Sequence, residues 1–150
     1  MAEPAIPAPL TERLGPLLGR AHEAHRRGSA AALAPFGLSP RAFGALAVLG
    51  AEGPLSQRRL SERQGIDRTT TVAVVDELER LGAVERRRDA ADRRAHALHV
   101  TAKGRRLLPR ARAAVAEAEA AFLAPLPEAD RAQLRAALRT LVEAAGRPLQ

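Results

Sequence analysis

Arginine gathers where two short apolar runs of this chain meet. Arg86-Arg87-Arg88 leads into a small polar turn, Asp89-Ala90-Ala91-Asp92, and Arg93-Arg94 leaves it. Between Arg86 and Arg106, seven arginines and Lys103 stand against Asp89 and Asp92 alone. Arginine is mostly exposed unless paired, so this tip must face solvent or a polyanion. A second polar set lies upstream, Arg68-Thr69-Thr70-Thr71. Three consecutive threonines are poor helix formers and want a reason. Their hydroxyls can donate and accept at base edges or phosphates, and a helix amino terminus itself favours phosphate. Arg58 and Arg59 offer phosphate contacts or a solvated face.

The elements that must position these residues are legible from periodicity. Leu14, Leu17, Leu18, Ala21 and Ala24 repeat at three and four, predicting a helix over about Leu10–Ala34 that ends at Pro35-Phe36-Gly37. Residues 1–9 read as an extended lead-in with Pro4, Pro7 and Pro9. Ser39-Pro40 starts a helix to about Leu49, burying Phe43 and Leu46, and Gly50, Gly53 and Pro54 predict a loop. Ser56 caps a short helix to about Gln64, Gly65-Ile66 turns, and Asp67 caps a helix to about Leu81 with Val74, Val75 and Leu78 inward. Gly82 leads into a hairpin whose return strand is Ala95 to Val100. His96 and His99 fall on its opposite faces. Thr101 caps a long helix in which Pro109 predicts a kink or a delayed start. Pro125 and Pro127 break the chain before a last helix carrying Leu134, Leu138, Leu141 and Val142. A helix pair with a glycine turn, followed directly by an arginine-tipped hairpin, predicts a mainly α fold with a small β-hairpin wing: a winged helix-turn-helix.

Composition narrows the function. The 150 residues suit one domain with helical extensions, and a net charge of +7 argues for nucleic acid or another anionic partner. Arginine abundance beside a single lysine also fits a GC-rich genome, which would not by itself cluster the excess. No cysteine is present, so disulfides and thiol switches are excluded. No apolar run approaches a membrane span and the first residues lack a secretory pattern, so the expectation is a cytoplasmic protein without membrane contact. No phosphate-binding glycine loop and no His–carboxylate set at telling spacing argue for an enzyme.

The block from about Leu38 to Gly104 resembles the MarR family of regulators. The resemblance rests on Asp89, Asp92, Arg93, Arg94 and Ala95 in the wing phrase D-x-x-D-R-R-A, and on Thr101 and Gly104 in T-x-x-G. Gly65 to Thr70 matches G-x-D-R-T-T, and Leu78 to Arg86 matches L-E-x-L-G-x-V-E-R. This resemblance implies a homodimeric transcription factor on double-stranded DNA, usually a repressor relieved by a small ligand. Arg68, Thr69 and Thr70 would then sit at the major groove with Thr71 beside them. Arg58 and Arg59 would meet phosphates, Arg88 and Arg93 would join the DNA-binding set, and Arg94, braced by Asp92, would enter the minor groove. Two positions depart from the family pattern: Ala90 stands where many members have proline, and Val72 and Ala73 stand where many have threonine and arginine.

The outer helices, 10–37 and 105–150, keep apolar stripes that the 38–104 core cannot wholly cover. Interlocking between two subunits would cover them, as would folding back within one chain. A two-fold dimer implies a pseudo-palindromic operator. Family ligands such as phenolic acids bind between the dimer helices and the winged domain. His22, His25, Phe36 and Phe43 could line such a crevice for a small aromatic or phenolic effector. They are equally ordinary surface residues, and no second cluster supports a metal at His22 and His25. Two rival readings remain: a non-specific architectural DNA-binding protein, and a winged helix used for protein contact.

Overall fold

The computed structural model of the chain describes residues 12–88 and 96–146. Its elements run α1 (Leu14–Leu33), a 3-10 turn (Ala34–Phe36), α2 (Pro40–Glu52), α3 (Gln57–Gln64) and α4 (Arg68–Arg80), then β1 (Val84–Arg88), β2 (His96–Val100), α5 (Ala102–Leu123) and α6 (Glu128–Ala145). The strands pair antiparallel, from Val84 opposite Val100 to Arg88 opposite His96. The fold is therefore mainly helical with one hairpin.

Four of the helices begin on a side chain that accepts one of their orphan N–H groups. Ser39, Ser56, Asp67 and Thr101 accept from Ala42, Arg59, Thr70 and Gly104 respectively. Gly65 takes the left-handed conformation (φ 63°) that closes α3 and turns the chain toward α4. Two of the caps are braced from afar. The Ser39 N–H and hydroxyl both donate to the Glu77 carboxylate of α4, at 2.7 and 2.9 Å. The Thr101 hydroxyl donates to the Gly82 carbonyl at 2.6 Å, and the Thr101 N–H to the Ala83 carbonyl at 3.0 Å. The start of α5 is thereby pressed against the loop that opens the hairpin.

Leu33, Leu46, Leu49, Leu60, Val75, Leu78 and Leu98 are fully buried and form one core where α2, α3, α4 and β2 meet. α2 runs three residues past its expected end, through Gly50. A Cβ there would stand 2.7 Å from Leu108 Cδ2, so Gly50 admits α5 at close range and remains helical rather than opening a loop. The loop expected at Gly53-Pro54 also carries an unforeseen bridge: the Leu98 N–H donates to the Leu55 carbonyl at 2.8 Å, fastening the wing root to the segment before α3. Pro109 lies inside an uninterrupted α5. It sits on the exposed face, where water can satisfy the carbonyl deprived of its helical donor.

α1 packs along α5. α6 is held by Arg131, which donates to the Leu126 carbonyl at 2.9 Å, and by an Arg135–Glu119 ion pair at 2.9 Å. α6 has no buried residue. Its Leu134, Leu138, Leu141 and Val142 stand exposed, as do Leu14, Leu17 and Leu18 of α1. No single helix among the described residues is long and apolar enough to cross a membrane.

Candidate nucleic-acid interface

The amino-terminal turn of α4 divides its side chains by direction. Thr71, Val74, Val75 and Leu78 are buried; Arg68, Thr69, Val72 and Ala73 are exposed. Thr71 was expected beside Thr69 and Thr70 on the binding face, and this is corrected. It is 1% exposed, and its hydroxyl donates to the Asp67 carbonyl at 2.9 Å. Residues three, four and seven apart share a helix face, and Thr71 stands at those spacings from Val74, Val75 and Leu78. Thr70 is half committed: its hydroxyl donates to Asp67 at 2.6 Å and its N–H to the same carboxylate at 2.9 Å. The hydroxyl bond first, then the N–H bond, holds the Asp67 carboxyl below its ordinary range. Two of the three threonines thus build the turn, and Thr69 is left fully presented.

Arg58 and Arg68, ten positions apart, line one notch of about 380 Å³ with Gln57, Ser61 and Val72, and the buried Thr71 forms part of its floor. Arg58 is 87% exposed by side chain and pairs with Glu62 one turn on. Arg59 is exposed beside it. Gln57 had drawn no attention as the first residue of a helix. Its Nε2 is buried with no acceptor among the described residues. Only its position at a capped helix start signalled this beforehand.

Arg88 ends β1 and is exposed. Asp92, Arg93 and Arg94 lie outside the described residues. Arg86, counted above with the free basic cluster, is instead committed to the recognition helix: it pairs with Asp76 at 2.9 Å and with Glu79. Arg87 pairs with Glu85 of its own strand. The wing is thereby tied to α4 through two carboxylates on one guanidinium. Arg86→Ala is expected to leave both carboxylates unneutralised beside a surface built for an anion, weakening duplex binding about tenfold at low salt. With Arg86 about a third exposed, the loss of stability is about 1 kcal/mol. Adding Asp76→Asn and Glu79→Gln should restore most of the affinity, as read by fluorescence anisotropy.

The expected ligand residues separate. His22 and His25 line a cleft of about 430 Å³ between α1, α5 and α6, with Leu18, Phe122, Leu134 and Leu138. His25 meets the Phe122 ring edge-on at 5.5 Å. His22 also borders a larger cleft of about 750 Å³ between α1 and the winged helices, walled by Arg26, Arg41, Gln64 and Glu77 over Pro40, Ile66 and Val74. Phe36 and Phe43 line neither of these two clefts. Phe36 lies under the Arg110 guanidinium at 5.6 Å, and Phe43 packs against the core. Among the described residues, no group of three or more His, Asp or Glu is placed to hold a metal.

Comparison with known proteins bears on this geometry. A family model described as MarR family matches residues 36–95. The chain is 35% identical over 124 residues to a putative transcriptional regulatory protein for the hcr operon of Thauera aromatica, covering 77% of this chain and 75% of that one. Among solved structures it is similar to the transcriptional repressor CouR bound to a 23-mer DNA duplex, with 34% identity, TM-score 0.84, and coverage of 90% of this chain and 96% of that one. CouR from Rhodococcus jostii RHA1 bound to p-coumaroyl-CoA aligns with 32% identity and TM-score 0.77, over 94% of this chain and 98% of that one.

Proposed function

This chain belongs to the MarR family of winged-helix transcriptional regulators, and from that premise we propose that it works as a homodimer reading a pseudo-palindromic operator. The observation that carries the reading is the exposed end of α4, where Arg68 shares a notch with Arg58 and Thr69 stands exposed, while the arginine-bearing strand β1 is tied further along the same helix through Arg86. In this reading Arg68, Thr69 and Thr70 address base edges, Arg58, Arg59, Arg88 and Arg93 the phosphates, and Arg94, braced by Asp92, the minor groove. The last two roles rest on the family resemblance. Residues 38–104 form the DNA-binding unit, 10–37 and 105–150 the dimerisation helices, and 1–9 a lead-in. The apolar stripes on α1 and α6 support the dimer.

A small aromatic or phenolic effector is assigned to the cleft beneath α1, where Arg41 stands over an apolar floor beside an Arg26 already paired with Glu23. Occupancy there would bear on α4 through Glu77. The CouR structure holding p-coumaroyl-CoA keeps company with this choice.

The test compares a duplex enriched from a randomised pool with its scrambled counterpart at fixed salt. A preference of about a thousandfold or more is expected of a specific regulator. Equal affinities would favour the architectural reading, and no binding at moderate salt would favour protein contact.

A further inference from the structure

Of the eight large apolar side chains exposed among the described residues, seven belong to the stripes of α1 and α6. The eighth is Val72, 39% exposed on α4. It lies one turn beyond Arg68, away from the buried Thr71, Val74, Val75 and Leu78. It lines the notch shared with Gln57, Arg58, Ser61 and Arg68, and Thr69 and Ala73 flank its exposed face.

A single exposed valine on an ordinary surface needs no account. Val72 is placed differently, because its neighbours are guanidinium, amide and hydroxyl groups. Their positive charge suits a polyanion rather than another apolar protein face. The partner that offers a methyl group within such an environment is the major groove, where thymine alone among the four bases displays a C5-methyl.

Resting on the DNA-binding reading above, we infer that Val72 is a specificity-determining residue that packs its methyl groups against the C5-methyl of one thymine in each half-site. Ala73, too short to reach, leaves room for that contact. The four-residue offset from Arg68 spans about 6 Å of helix axis. This is close to two base steps at about 3.4 Å each, so the thymine falls within about two base pairs of the base or phosphate that Arg68 engages.

The probe is a duplex enriched by the protein from a randomised pool, with each thymine replaced singly by deoxyuracil, which deletes only the methyl. At one thymine per half-site the wild type should lose about fourfold in affinity, the worth of one buried methyl group. Val72→Ala should lose that sensitivity at the same position and keep the wild-type melting temperature. Val72→Thr, which retains one methyl at the branch, should keep part of it. Indifference to deoxyuracil at every thymine, or an unchanged penalty in Val72→Ala, would overturn the inference while leaving DNA binding intact. A pool yielding no preferred duplex would overturn the DNA-binding reading itself, and this inference with it.

Discussion

Gly104→Ala is expected to destabilise the fold severely and to lower its melting temperature sharply. Gly104 is buried at the third position of α5, and its N–H donates to the Thr101 hydroxyl at 3.1 Å. A Cβ on this residue would collide with the Ala83 carbonyl oxygen and lie 2.8 Å from Val100 Cγ1. The carbonyl cannot retreat cheaply, because it accepts from the Thr101 N–H at 3.0 Å. Relief requires α5 to lift from the hairpin root, opening the Gly82–Thr101 bond and the packing under Leu108. Overpacking a well-filled site costs about 1–3 kcal/mol, more where backbone must move. About 3 kcal/mol or more is expected here, a large part of the margin of a small domain. Chemical denaturation monitored by circular dichroism measures it. A loss under about 1 kcal/mol would mean that the close approach of α5 and the hairpin root is not required. The T-x-x-G phrase is thus two physical demands in one: threonine for the cap, glycine for the contact.

Leu138→Asp with Leu141→Asp is expected to produce a monomer and to cost the protein about 10²–10⁴ in operator affinity, the range gained when two binding modules are joined. Leu141 and Val142 are 56% and 71% exposed, continuing the stripe of the half-covered Leu134 and Leu138 along a helix with no fully buried residue. Each leucine covered on association contributes about 1.5–3 kcal/mol, and four apolar side chains per subunit are of the order needed to offset the lost freedom of two bodies. A carboxylate at two of these positions would have to be desolvated in the interface. Sedimentation velocity at micromolar concentration reads the result. Thr140→Ala, on the opposite side of α6, serves as the control that should remain dimeric. A wild type that sediments as a monomer, or a double variant that stays dimeric, would defeat the proposed assembly.

The features legible in the sequence were those made by neighbours along the chain. Ser39, Ser56, Asp67 and Thr101 could be identified as caps because the bond spans only three residues. The hairpin could be identified because apolar and basic runs alternate about a turn. What escaped was set by partners far apart in sequence. Nothing near Ser39 announces Glu77, thirty-eight residues away, and nothing near Arg86 shows that its charge is spent on Asp76 and Glu79. Phe36 and Phe43 were grouped with the histidines by chemical type, which carries no information about which face of α1 or α2 meets which cleft. Thr71 was different: the phase of Val74, Val75 and Leu78 already contained its burial, and extending that stripe one step backwards would have found it. Of the candidate interface, α3, α4 and β1 are in view, while Asp92, Arg93 and Arg94 fall outside the described residues.

The bond from Leu98 to Leu55 and the grip of Arg86 on α4 act together as a brace. They tie the hairpin root to the segment before α3 and to the probing helix, like cross-ties between the tines of a fork. Such a tool measures pitch before it meets any letter of the text. An A-form duplex, whose deep and narrow major groove admits no helix, would be refused on shape alone. A motion that leaves these two ties intact would carry the hairpin root and the probing helix off a duplex together.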